Sequence, residues 1–122
     1  MYLGLDLGTS GLRALMTYED GTPVGATEQG YDVAHPHSGW SEQNPADWVA
    51  AARATLAALK AAHPTEFAEI KGIGVSGQMH GATLLDARDA VLRPCILWND
   101  TRCHIEAAAL DAAPDVRALS GN

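Results

Sequence analysis

At 122 residues, 47% hydrophobic and 19% charged, the chain has the composition of a single water-soluble globular domain. Its net charge of −7 argues against a nucleic-acid surface, which is ordinarily basic, but leaves a nucleotide site open, because one arginine and a metal ion act locally. No run of about 18 apolar residues is present and the start lacks the basic-then-apolar pattern of a signal peptide, so a cytoplasmic protein without a membrane partner is expected. Cys95 and Cys103 have neither metal spacing nor a disulfide framework and read as reduced thiols, Cys95 in a buried strand.

The first element is an apolar strand, residues 2–8, that carries one carboxylate, Asp6, into the turn Gly8-Thr9-Ser10-Gly11. A second strand over 12–18 follows at once and is expected to pair with it. Glycine permits positive φ and close backbone approach, and successive turn N–H groups form a concave anion nest. Thr9 and Ser10 add hydroxyls and Arg13 a cationic fork. A carboxylate buried at the end of an apolar strand needs a partner or a metal. An acid beside a phosphate cradle makes chemical sense with a divalent cation between them, so the segment reads as a metal-nucleotide phosphate site. The plainer reading is a glycine-rich hairpin. No Gly-Lys-Ser/Thr follows, and no βαβ unit, so neither the P-loop nor the dinucleotide fingerprint fits.

Asp20-Gly21 signals a hairpin, and residues 23–33 read as a third strand completing an antiparallel meander, with Gly25 and Gly30 marking bulges or an edge. Residues 34–44 form a polar loop. His35 and His37 flank Pro36 without further ligands and read as a surface turn, while Trp40 either packs beneath the loop or lines a pocket. A helix starts at Pro45 with Asn44 as N-cap and Asp47 in the first turn. Trp48, Ala52, Leu56 and Leu59 form its apolar stripe, Trp48 as a core anchor, and His63-Pro64 ends it. Residues 70–76 read as a buried strand parallel to the first, giving a βββαβ order. After the turn 77–81 come a short strand over 82–85, a turn at 86–89, an extended run over 91–98 broken by Pro94, and a helix over 101–112 capped by Asp100. The whole is an α/β domain with helices packed on a mixed sheet.

Gly77-Gln78-Met79-His80-Gly81 lies at the carboxyl end of a strand, where α/β folds collect ligands. His80 and Gln78 each donate and accept, and Met79 is an adaptable apolar wall. Such a mix suits a sugar or polyol. The plainer reading has His80 capping a turn and Met79 filling core. Trp98-Asn99-Asp100-Thr101-Arg102 follows another strand end with an aromatic face, an amide, a carboxylate and a guanidinium together.

With Asp6-Leu-Gly-Thr-Ser10, Trp40-Ser-Glu-Gln43, Gln78-Met-His-Gly-Ala-Thr-Leu-Leu-Asp86 and Leu97-Trp-Asn-Asp100, the chain resembles the FGGY family of carbohydrate kinases, in particular its xylulose-phosphorylating branch. The resemblance runs from Met1 to Asn122. It implies a ribonuclease-H-like fold of the sugar kinase, Hsp70 and actin superfamily, with ATP and sugar in a cleft between two such domains. It implies ATP-dependent phosphorylation of D-xylulose at its terminal hydroxyl, with Mg²⁺ beside Asp6. Gly8, Thr9, Ser10 and Arg13 would face the phosphates, and Gln78, Met79, His80, Trp98, Asn99 and Asp100 the sugar. A homodimer is compatible with it. Family members are several times longer, and their general-base aspartate lies downstream, so residues 1–122 are expected to be the first part of the kinase's N-terminal domain. The chain alone is then expected to be inactive and to expose apolar surface. Two other readings stay open: a kinase of another ketose or polyol, and a non-catalytic nucleotide-binding or interaction module.

Overall fold

The computed structural model describes residues 1–113 and 115–121. Three antiparallel strands open the chain, β1 (Tyr2–Leu7), β2 (Gly11–Thr17) and β3 (Pro23–Gly30). The two-residue strand β4 (Glu42–Gln43) and the long helix α1 (Pro45–Ala62) follow. Next come a short helix α2 (Pro64–Ala68) and the strand β5 (Gly72–Gly77). The remainder holds β6 (Cys95–Ile96), α3 (His104–Asp111) and α4 (Val116–Ser120). The main sheet runs β3-β2-β1-β5, with β5 parallel to β1, and β4 pairs with β6 in a second, two-stranded sheet. An antiparallel meander whose first strand also pairs in parallel with the strand after the helix is the ribonuclease-H-like order.

Alternation along the strands divides the sheet into two faces. Leu3, Ala14 and Met16 are buried beneath α1 with Leu59, and Leu5, Val24, Leu56, Phe67 and Ile70 pack around them. The opposite face carries Gly4, Asp6, Arg13, Leu15, Gly74 and Ser76 and stays open. Asn44 caps α1 as the sequence predicts, its side-chain oxygen accepting from the Ala46 N–H at 3.1 Å with Pro45 in the first turn. The most buried line on α1 is Ala51, Thr55 and Leu59, one step round from the stripe of Trp48, Ala52 and Leu56, which are half-buried. Thr55 escapes an apolar count because its hydroxyl bonds back to Ala51 O and Ala52 O at 3.1 and 3.0 Å, which lets it be buried. At Gly25, beside the β2–β3 bulge, a Cβ would stand 2.5 Å from His63 Nε2, so the His63 ring would have to move.

Four expectations need correction. β3 stops at Gly30 instead of residue 33, because its partner begins at Gly11 and only the Tyr31 N–H continues the pairing, to Ser10 O. β5 is exposed, with Val75 at 75%, because α1 lies over β2 and β3 and no described residue covers the β5 edge. The expected strand over 82–85 and the extended run 91–98 reduce to the bridges Ala82–Ile96 and Leu85–Val91 and the short β6. The last long helix begins at His104, not 101, and Asp100 does not cap it: Thr101 donates its N–H and its hydroxyl to Gly39 O, which holds residues 101–103 against the 39–41 loop.

Candidate functional site

The turn after β1 is fixed from behind by donors. The Tyr31 hydroxyl donates to Gly8 O at 2.6 Å, the Gln43 amide to Thr9 O at 2.7 Å, and the Tyr31 N–H to Ser10 O at 3.2 Å. Gly8 N–H closes the turn on Gly11 O at 2.9 Å. With three successive carbonyls tied down, the N–H groups of Thr9 and Ser10 are left without an acceptor among the described residues. Two adjacent free amides with the Ser10 hydroxyl are the donor set of an anion nest, the Thr9 hydroxyl being turned to Gln78 Oε1. Neither Gly8 nor Gly11 adopts a positive φ, so conformational freedom is not why glycine stands there. Close approach is: a Cβ on Gly11 would lie 2.9 Å from Gln29 O.

Asp6 sits opposite Arg13 on β2 and Ser76 on β5, and the Ser76 hydroxyl donates to Asp6 Oδ1 at 2.8 Å. The carboxylate is exposed, not buried as expected, because it points to the uncovered face of the sheet. Arg13 lies on the same face, and its Nε contacts Glu28 Oε2 at 2.7 Å in an exposed ion pair. Asp6, Gly8, Ser10, Gly11, Arg13 and Glu28 line a concavity of about 200 Å³, which opens beside a larger one of about 530 Å³ floored by Gly4 and Gly74. Burial and the nearby Asp6 charge raise the Tyr31 phenol above its ordinary value, so it stays a protonated donor to Gly8 O.

The second predicted cluster meets this turn directly. Gln78 continues from β5 with its N–H on Leu7 O at 2.8 Å. Its side chain accepts from the Thr9 hydroxyl at 3.4 Å and donates to Gln43 Oε1 at 3.0 Å. The Trp98 indole donates to Thr9 Oγ1 at 3.3 Å. Thr9, Gln78 and Trp98, far apart in sequence, therefore touch. Met79 is 70% exposed, and His80 is exposed with φ 63°. A non-glycine residue in the left-handed region carries strain of about 1–3 kcal/mol and concentrates at functional sites. The His80 ring makes no hydrogen bond among the described residues, so both ring nitrogens remain free for a ligand.

Asn99 and Asp100 stand differently. Asn99 lines a separate concavity of about 360 Å³ with Trp40, His37 and His35. The Asp100 carboxylate is 1% exposed and saturated, accepting from Ser41 N–H at 2.6 Å and from Arg102 Nε and Nη2 at 2.8 and 2.6 Å. The Arg102 guanidinium holds the Asp100 carboxyl well below the usual carboxylate range against the opposing effect of burial, and Asp100 in turn raises Arg102. Arg102 also reaches Glu42 at 2.8 Å, Arg93 pairs with the same carboxylate, and the Arg102 guanidinium lies 3.7 Å from the Trp40 ring centre. Trp40 thus has one face occupied by Arg102 and still borders the Asn99 concavity. No spacing in the sequence marks Tyr31 or gives Gln43 a role, because their partners at this turn are main-chain carbonyls.

Comparison with known proteins places these features in a family. Residues 1–121 match the model of the FGGY family of carbohydrate kinases, N-terminal domain. The xylulose kinase of Escherichia coli (strain K12) is 46% identical over 123 aligned positions, covering 100% of this chain and 25% of the relative. The crystal structure of a "xyloylose kinase" from Brucella ovis superposes with a TM-score of 0.97 at 65% identity, over 99% of this chain and 26% of that one. Xylulose kinase from Rhodospirillum rubrum gives 0.88 at 40% identity, over 95% and 24%. The chain spans about a quarter of the length of the curated relatives it matches. With its glycine-turn strand pair, its Gln-Met-His-Gly turn and a family match from end to end, the chain belongs to the FGGY family of carbohydrate kinases.

Proposed function

We propose that the chain forms the first part of the N-terminal domain of an ATP-dependent kinase that converts D-xylulose to D-xylulose 5-phosphate. One observation supports this most: Thr9 of the glycine turn and Gln78 of the Gln-Met-His-Gly turn are hydrogen-bonded at one end of the sheet. A phosphate-bearing ligand on the free amides of Thr9 and Ser10 would lie beside a polyol at Met79 and His80. Resemblance to xylulose kinases over the whole chain supports D-xylulose as the sugar.

Phosphoryl transfer depends mainly on positioning and on neutralising charge at the phosphate oxygens. Thr9 and Ser10 supply amide donors while the Gly8 N–H stays on Gly11 O, and Arg13 supplies a cation shared with Glu28. Magnesium in nucleotide sites is held by one or two carboxylates together with phosphate oxygens and water. The single exposed Asp6 fits that mode, and no cluster of three or more acidic, histidine or cysteine ligands exists among the described residues to hold a metal without a nucleotide. Bound there, magnesium would supply charge neutralisation. His80 would hydrogen-bond a sugar hydroxyl from either ring nitrogen while Met79 packs on the carbon chain. Trp98, on the Thr9 hydroxyl, would border the same ligand, Asn99 would face the neighbouring concavity beside Trp40, and Asp100 would hold Arg102 and the Ser41 N–H in place. An analogue lacking a bonded hydroxyl would leave His80 or Gln78 unpaired, which is how such a site selects its substrate. The base that accepts the hydroxyl proton belongs to the rest of the enzyme, working in the cytoplasm as a monomer or homodimer.

A coupled assay of ADP release by the full-length enzyme tests the reading. D-xylulose is expected to give the highest kcat/KM among pentuloses, hexuloses and polyols. Turnover of another ketose or polyol with none of D-xylulose would reassign the substrate, and no sugar-dependent ADP release would contradict the kinase reading.

A further inference from the structure

Gln43 is 3% exposed and uses every hydrogen-bonding position of its carboxamide. Its Nε2 donates to Thr9 O at 2.7 Å and to Asp32 O at 3.2 Å. Its Oε1 accepts from Trp48 Nε1 at 3.1 Å and from Gln78 Nε2 at 3.0 Å. The orientation of the amide is forced: two partners are main-chain carbonyls, which only accept, and the indole N–H only donates. With the Thr9 hydroxyl on Gln78 Oε1 the contacts close into a ring, Thr9 to Gln78 to Gln43 and back to Thr9.

The ring joins two segments that meet different ligands. Thr9 O is the middle of the three carbonyls whose restraint leaves the Thr9 and Ser10 amides free. Gln78 is the root of the turn that presents Met79 and the strained His80. The bonds run through one buried side chain, itself pinned to α1 by Trp48, so neither turn can shift without breaking a bond that the other shares. Buried amides that lose a partner pay the full desolvation cost, so a half-broken ring is disfavoured against the intact one.

Resting on the kinase reading above, we propose that Gln43 is a positioning residue that couples the nucleotide turn to the sugar turn, so that each ligand tightens the binding of the other. Linkage makes the effect reciprocal. It follows that the wild-type enzyme binds D-xylulose about fivefold or more tightly when saturated with a magnesium complex of a non-hydrolysable ATP analogue.

The test uses the full-length enzyme with D-xylulose and that analogue as probes. In Gln43→Met, which fills the space without hydrogen bonds, the ratio of D-xylulose Kd values without and with the analogue is expected to fall to within twofold of one. In Gln43→Glu, which keeps both acceptor bonds but loses the donors to Thr9 and Asp32, KM for MgATP is expected to rise while the Kd for D-xylulose measured alone stays near wild type. Hydrogen exchange on the wild-type enzyme needs no variant to fold: D-xylulose alone is expected to slow exchange in residues 7–12, and the analogue alone in residues 77–81. A Gln43→Met enzyme with the wild-type ratio, or D-xylulose protection confined to 77–81, overturns the coupling while the kinase reading stands. A wild-type enzyme with no sugar-dependent turnover contradicts that reading, and the coupling falls with it.

Discussion

Asp100 combines near-complete burial with a full set of donors. Its carboxyl is held below the ordinary 3.8 chiefly by its hydrogen bonds with Arg102, with help from the Ser41 N–H, against an opposing desolvation term. A depressed carboxyl stabilises the fold above the unfolded-state value, and that stability is lost as pH falls toward the folded-state value. Thermal melts are therefore expected to show Asp100→Asn with a lower Tm than wild type at pH 7, the gap closing as pH drops below 3.8. An unchanged gap at low pH would remove Asp100 from the pH response. Tyr31 gives a second check. Tyr31→Phe deletes one hydrogen bond to Gly8 O, worth about 1 kcal/mol, and leaves the ring. Measured one ligand at a time, the Kd for a magnesium complex of a non-hydrolysable ATP analogue is expected to rise several-fold in that variant while the Kd for D-xylulose alone stays near wild type, and equal changes in both would contradict a role confined to the nucleotide turn. The residues that name the family, Gln78, Met79 and His80, were legible as residue types at a strand end. The donors that fix the glycine turn were not, because Tyr31 and Gln43 reach main-chain oxygens that no sequence pattern marks.

At the scale of elements, α1 was the most legible part, since Asn44, Pro45 and Asp47 announce its start and His63-Pro64 its end. Asn44→Ala is expected to cost about 1 kcal/mol. Leu59→Ala, which empties a position 1% exposed in the core, is expected to cost about 2–5 kcal/mol, both read from denaturant midpoints. A Leu59 variant as stable as wild type would displace the core from under α1. The meander and the parallel β5 were equally readable from strand periodicity and the Asp20-Gly21 turn. Burial of β5 was not, because Ile73 and Val75 lie on the apolar face while their cover depends on which helix lies over them. The start of α3 was misjudged for a similar reason: Asp100 has the chemistry of a cap, but its oxygens go to Arg102 and to Ser41 N–H on a distant loop.

Across the described residues, large apolar side chains are exposed on three successive stretches of chain: Ile73 and Val75 on β5, Leu84, Leu85, Val91 and Leu92 on the following hairpin, and Ile105 and Leu110 on α3. Exposed apolar surface favours association. Sedimentation of the purified 122-residue chain is expected to show concentration-dependent self-association, and, under the proposed function, the chain alone is expected to release no ADP in the presence of D-xylulose, since part of a cleft cannot exclude water or align two substrates. Robust turnover by the chain alone would contradict this. No described helix is long and apolar enough to cross a membrane.

The most direct measurement is calorimetric titration of D-xylulose into the full-length enzyme, wild type and His80→Ala. Loss of the imidazole leaves a sugar hydroxyl without its partner, so saturable one-to-one binding is expected in the wild type and at least about tenfold weaker binding in the variant, with an unchanged melting curve. Equal affinity in the two proteins would place the sugar elsewhere and contradict the site at the carboxyl end of β5.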